Sequence, residues 1–112
     1  MRRLSLAAIP LLMSMTSGLA QQQSEYMFLW RAWELCVFGT AERYSKGSDS
    51  APVLARAAMR SCQAERSRFA KLLAGRMPST EATDTLLDIE STMLVSTEDV
   101  IIDLRSRAPT SK

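Results

Sequence analysis

Two cysteines are the residues of this chain best suited to chemistry, and their placement indicates which chemistry. Cys36 and Cys62 can form a structural disulfide or a redox-active dithiol. Catalytic dithiols usually lie close together in sequence at a helix N-terminus, where the pKa of one thiol is lowered. These two are far apart and fall in the middle of predicted helices. We therefore expect a structural disulfide.

Glu65 and Glu90 are the second candidates, because each lies within the apolar face of its predicted helix. A buried carboxylate needs a partner, and arginine is the usual one. The two glutamates can alternatively serve as a general acid, since burial raises a carboxylate pKa, or as ligands of a hard metal ion. We interpret them as a buried ion-pair site. We assign the chain no catalytic residue, no metal and no cofactor, and expect that it is not an enzyme.

The composition excludes several kinds of site. The chain contains no histidine and no asparagine. Histidine-based catalytic triads, histidine metal sites and N-glycosylation are therefore removed from consideration.

The first twenty residues have the pattern of a secretory signal peptide. Arg2 and Arg3 form a cationic start, residues 4–15 form an apolar run, and Gly18-Leu19-Ala20 offers a cleavage site. The apolar run is shorter than the roughly 20 residues that cross a bilayer. We expect cleavage after Ala20 and no transmembrane anchor in the mature chain. Residues 21–112 then form a single helical domain that is periplasmic or secreted, where two cysteines normally pair.

Charge is distributed unevenly along the chain. The 14 Lys and Arg residues exceed the 12 Asp and Glu residues by two, and Arg2 and Arg3 account for this excess. Residues 21–77 contain nine basic and five acidic side chains, whereas residues 78–112 contain three basic and seven acidic ones. We expect the acidic last helix to pack beside the basic second helix. Neutrality and export together disfavour a nucleic-acid partner.

Hydrophobic periodicity predicts three helices, at about 25–45, 51–74 and 79–107. Ser50 is suited to cap the second helix, and Gly75 with Pro78 is suited to end it. Short connections favour antiparallel neighbours, so we predict an all-α, up-down-up three-helix bundle. The midpoint between Cys36 and Cys62 is residue 49, which falls in the first turn. An antiparallel hairpin therefore places the two cysteines at the same height, as an inter-helix disulfide requires.

The first predicted helix is apolar on two sides. At 100° per residue, its inner face contains Trp33 and Val37, while a second strip lies on the other side. The third predicted helix also carries two apolar residues on its polar side. A helix apolar on two sides is usually buried between neighbours. The large residues of the second strip and these two residues of the third helix form the predicted partner-binding set: Phe28, Leu35, Phe38, Val95 and Ile102.

These observations favour a non-catalytic protein-binding or structural module of the bacterial envelope, whose partner is another protein or a second copy. Two alternatives stay open. One is a small enzyme that uses Glu65 and Glu90. The other is a protein that binds anionic lipid through the basic side chains of the second helix, which include Arg56, Arg60 and Lys71.

Overall fold

The structure, a computed structural model, describes residues 9–107 and the side-chain environments from residue 22 onward. This part of the chain is all-helical, which confirms the predicted fold class. The four helices in chain order are α1 (Ile9–Tyr44), α2 (Ala51–Ser61), α3 (Gln63–Ala74) and α4 (Ser79–Arg107). The predicted count of three helices is not confirmed. Arg2 and Arg3 of the predicted signal peptide lie outside the described residues.

Helix α1 begins earlier than the sequence pattern suggests. Ser24 and Glu25 were the predicted start, but the backbone is helical from Ile9 onward. Pro10 lies in the first turn, where a proline ring costs no internal hydrogen bond. No glycine turn or second proline precedes Ser24, so nothing in the local sequence forces the helix to begin there.

The predicted second helix is interrupted at Cys62, which separates α2 from α3. The backbone of Cys62 has φ −109° and ψ 33°, outside the α-helical region. Its N–H donates to the carbonyl oxygen of Met59 three residues back, at 3.2 Å. The apolar periodicity continues across the break, because Ala58, Cys62 and Phe69 share one face. The sequence pattern therefore gives no sign of the interruption.

The helix ends at the two connections lie where the sequence placed them. Ser50 occupies the N-cap position of α2 with an extended backbone, although its side chain makes no capping hydrogen bond. Gly75 occupies the C-cap position of α3, and its N–H donates to the carbonyl oxygens of Lys71 and Leu72. Its φ of −83° is right-handed, so this glycine is not required by a left-handed conformation.

The core lies between the inner face of α1 and the three other helices. Phe69 of α3 is at its centre, with ring centroids 5.1 Å from Tyr26 and 5.9 Å from Trp33. Thr97 is the buried polar residue of α4, and its hydroxyl donates to the carbonyl oxygen of Met93. The larger fully buried apolar side chains come from three helices and are Trp33, Val37, Phe69, Leu73 and Ile101.

Arg105, near the end of α4, holds the connection between α1 and α2. Its Nε donates to the carbonyl oxygen of Ser45 at 3.1 Å, and its Nη2 donates to those of Gly47 and Asp49 at 2.6 Å. Three backbone oxygens of the turn thus converge on one guanidinium group. The last turn of α4 consequently fixes the geometry of the α1–α2 hairpin.

Candidate functional site

The predicted disulfide between Cys36 and Cys62 is present. Its Cα atoms are 6.0 Å apart, and it joins α1 to the point where α2 ends and α3 begins. The expectation that both cysteines lie in mid-helix is wrong for Cys62, which is the N-cap residue of α3. Cys62 is fully buried in the core cluster. Cys36 is partly buried, so the bridge is open to thiols in solution from one side only, and this restricted access favours a structural role over redox exchange.

Glu65 lies beside this disulfide rather than in an ion pair. One oxygen of its carboxylate is within 4.8 Å of both sulfur atoms. The salt bridges in the described part of the chain do not include Glu65. The physical reason is its position on α3, one residue before the arginine that reaches α4. The two sulfurs are bonded to each other and carry no charge, so the carboxylate of Glu65 is the only one of these three groups that could bind a metal ion as an anion.

Glu90 of α4 does form an ion pair, and its partner is Arg66 of α3. The Nε of Arg66 donates to Oε2 of Glu90 at 2.8 Å, and Nη2 donates to Oε1 at 3.2 Å. Both side chains are partly buried. This two-pronged contact links the basic and acidic helices, as the charge distribution suggested. It also occupies both carboxylate oxygens.

The outward strip of α1 is a candidate contact surface. We name Phe28, Ala32, Leu35 and Gly39 the outer α1 face. Phe28 is 71% exposed and Leu35 is 65% exposed. Nine residues separate Phe28 from the fully buried Val37, and nine steps of 100° place them on opposite sides of the helix. The outer α1 face therefore points directly away from the core. Between Ser24 and Leu35 it lines a shallow depression of about 560 Å³.

The remaining predicted contact residues divide into two groups. Val95 and Ile102 of α4 are 59% and 55% exposed. Phe38 is partly buried and packs against the core. It is therefore less available to a partner than Phe28 and Leu35. Phe38 instead lines a groove of about 320 Å³ with Trp30 of α1 and Ile89 of α4.

A second groove, between α2 and α4, combines apolar and basic side chains. Its volume is about 360 Å³, and Met59, Leu87 and Leu94 contribute its apolar lining. Arg56 and Arg60 also line it. The two guanidinium groups are on the exposed side of α2. Glu90 lines the groove as well, but its carboxylate accepts hydrogen bonds from Arg66. The two guanidinium groups, unpaired among the described residues, lie beside an apolar lining and suit an anionic amphiphile.

Two residues of interest were missed by sequence reasoning. Arg105 was not recognised as the anchor of the α1–α2 turn, because its acceptors are backbone oxygens some 60 residues away. Gly39 was passed over, although it lies inside α1. Glycine costs about 1 kcal/mol relative to alanine within a helix, and this cost was a signal in the sequence. A Cβ built on Gly39 meets no atom within 4 Å beyond its own stretch of helix.

Comparison of this chain with models of protein families, with curated proteins and with solved structures finds no match. Within residues 9–107, no helix has both the length and the apolar character that spanning a membrane requires.

Proposed function

We propose that this protein is a non-catalytic binding or structural module of the bacterial envelope, and that it binds another protein through the outer α1 face. The observation that carries the proposal is the exposure of Phe28 and Leu35 on the side of α1 opposite the core. An aromatic and an aliphatic side chain one above the other on a helix are typical anchors for a partner helix or groove.

Export belongs to the same proposal. Residues 1–20 act as a cleaved signal peptide, and residues 21–112 are the working domain in the periplasm or outside the cell. The disulfide supports this, because such bonds persist in oxidising compartments. We take α2 and α3 together as the second, interrupted helical segment of an up-down-up arrangement of three segments. A segment joined to α1 by a disulfide would keep α1 straight and its outer face exposed to solvent.

A non-catalytic role is supported by the state of the two glutamates. Both oxygens of Glu90 accept hydrogen bonds from Arg66, which makes this carboxylate a poor proton donor or metal ligand. Glu65 would then be the remaining acid of the enzyme hypothesis. An activity that is lost in Glu65→Gln while the fold stays intact would contradict the non-catalytic assignment.

The test is site-specific photo-crosslinking in cells that express the full chain. A photoreactive phenylalanine analogue replaces Phe28, and the same analogue at Val53, an exposed position of α2, serves as the matched control. We expect a discrete crosslinked protein species with the analogue at position 28, and its loss when Leu35→Asp is added. No crosslink at position 28, or one that Leu35→Asp leaves unchanged, would refute binding through the outer α1 face.

A second candidate function, binding of anionic lipid, is favoured by the groove between α2 and α4. Arg56 and Arg60 would contact the charged headgroup, and Met59 would contact the acyl chain. The test is sedimentation with vesicles that contain phosphatidylglycerol, compared with neutral vesicles of phosphatidylcholine. Binding that vanishes in high salt and in Arg56→Gln/Arg60→Gln supports this candidate, and equal sedimentation with both vesicles removes it.

A further inference from the structure

Gly39 has no role that the packing of a single copy explains. Glycine is the least favourable helix residue after proline, so its presence inside α1 calls for a reason. The usual reason is close approach of another part of the protein, but space around the Cβ position is open on all sides beyond α1 itself. The φ of Gly39 also lies outside the left-handed range that favours glycine. A contact that requires glycine at position 39 would therefore be made with another molecule.

The outer α1 face has the spacing of a helix-pairing seam. Phe28, Ala32, Leu35 and Gly39 follow one another at intervals of four, three and four residues. This alternation is the a/d pattern by which one helix packs along another. The strip also alternates in size, because each large residue is followed by a small one.

We propose that the outer α1 face binds the same face of a second copy of this chain, with the two helices antiparallel. This inference rests on the proposed function and names its partner. In an antiparallel pair centred between residues 33 and 34, Phe28 packs over the partner's Gly39 and Leu35 packs against the partner's Ala32. Each large side chain thus meets a small one, and the two-fold axis repeats both contacts.

A parallel pair fits the same residues poorly. It would place Phe28 against the partner's Phe28 and leave a gap between the two Gly39 positions. Gaps in a contact forfeit dispersion energy because the atoms around them lack neighbours. Size complementarity therefore selects the antiparallel arrangement.

Charge supports the same choice. Glu25 and Arg43 are 18 residues apart, which is five helical turns, so both lie along the same edge of α1. In the antiparallel pair, Glu25 faces the partner's Arg43 at nearly equal height, and Arg43 faces the partner's Glu25. Arg43 is exposed, and Glu25 is exposed while Arg76 donates to its Oε1. The exposed Glu42 of the partner also lies at the height of Glu25, on the opposite edge of the seam, so Arg43 offsets an acidic pair there. A parallel pair instead places each charge beside its own copy, with no opposite charge to offset it.

The contact is small, and this limits its strength. A strip of about three turns of one helix buries less than the roughly 800 Å² per partner of a standard interface. We therefore expect a dimer whose population depends on protein concentration in the micromolar range or above, rather than an obligate dimer.

The first test is sedimentation equilibrium of protein purified from cells that express the full chain, over a wide concentration range. Phe28→Ala removes the large residue of the contact. Gly39→Phe places a new ring where the partner's Phe28 ring would lie. We expect each single variant to weaken dimerisation at least about tenfold, which corresponds to a modest loss of contact energy. The double variant Phe28→Ala/Gly39→Phe exchanges large and small positions, and we expect it to dimerise again.

This exchange separates the two orientations. In a parallel pair, Gly39→Phe would add a ring contact and strengthen dimerisation, so that result overturns the antiparallel proposal. Val53→Ser is the matched control, because it removes an exposed apolar side chain of α2 that belongs to no proposed contact surface, and we expect it to leave dimerisation unchanged. Thermal unfolding of Gly39→Phe checks the fold, since its side chain enters open space in the single copy.

The second test maps the attachment point of the photoreactive analogue at Phe28 in the purified protein. Attachment near Gly39 of another copy supports the proposal, and attachment near position 28 overturns it. A monomer at every concentration also overturns it. If that monomer still crosslinks a different envelope protein through position 28, only the second-copy inference fails. Absence of any crosslinked protein would remove the proposed function as well.

Discussion

The two faces of α1 use the same kinds of residue for opposite purposes. The inner face buries Trp33 and Val37 completely, while the outer face leaves Phe28 and Leu35 mostly exposed. Both faces are aromatic and aliphatic, so hydrophobicity alone does not distinguish them. The difference is that α2, α3 and α4 all pack against one side of α1. An apolar residue in this protein therefore contributes to stability or to association according to which side of α1 it occupies.

The strongest test of this comparison is truncation of one aromatic residue on each face. Trp33→Ala removes a fully buried indole, and we expect it to lower the free energy of unfolding by about 3–5 kcal/mol. Phe28→Ala removes a mostly exposed ring, and we expect a change within about 0.5 kcal/mol for the monomer. Urea denaturation at a concentration below dimerisation measures both. Similar losses for the two variants would show that the outer face is also part of the core.

The next effect concerns the disulfide, which is attached to α1 between the two faces. Removal of the bridge in Cys36→Ala/Cys62→Ala should lower the free energy of unfolding by about 3 kcal/mol, because the loop it closes gains freedom in the unfolded chain. Chemical denaturation under oxidising conditions measures this loss. The reduced wild-type protein is the control and should approach the stability of the double variant. A lower free energy of unfolding in only one of these two proteins, the double variant or the reduced wild type, would contradict a purely structural role of the disulfide.

A smaller effect is expected where α4 holds the turn that follows α1. Arg105→Met keeps most of the side-chain volume but removes the donors for three backbone oxygens, and we expect a loss of about 2 kcal/mol. The matched control is Arg107→Met, whose salt bridge with Asp103 is exposed, with an expected change within about 0.5 kcal/mol. Thermal denaturation compares them. Equal midpoints for the two variants would show that Arg105 does not fix the inner-face hairpin.

The smallest change sharpens the comparison because stability and association should move in opposite directions. Gly39→Ala improves the helix propensity of α1, and its methyl group meets no neighbour in the single copy. We expect monomer stability to rise by up to about 1 kcal/mol. The added methyl group should weaken dimerisation, because it takes space that Phe28 of the other copy would occupy. A destabilised monomer would mean that Gly39 is required within the single copy.

Several features of the fold could be predicted because they depend on one helix or one pair of residues. The buried positions of α4 include Ala82, Met93, Thr97 and Ile101, and all four follow from its period of 3.6 residues. The ion pair at Glu90 was also within reach, since a carboxylate on an apolar face needs a cationic partner. The identity of that partner, Arg66, was not, because it depends on how α3 and α4 are aligned.

Two side-chain environments that helical angle did not indicate have a common physical origin. Phe38 was assigned to the second strip of α1 because of its helical angle, whereas its ring is partly buried and lines a groove that α4 also lines. Glu65 was expected in an ion pair, but the arginine that reaches α4 is its neighbour, and the carboxylate lies near the disulfide instead. Neither outcome depends on the helix that carries the residue. Both depend on where another helix lies.

The sequence by itself determined the helical class, the two-sided character of α1 and the pairing of its two cysteines. Periodicity and symmetric spacing about a turn are local properties, and they can be recognised in the amino-acid sequence. Only the tertiary structure decided that α2 ends at Cys62, that Arg105 holds a distant turn and that the side of α1 bearing Phe28 and Leu35 faces solvent. These features arise from contacts between segments far apart in the chain, and such contacts leave no periodic signal in either segment.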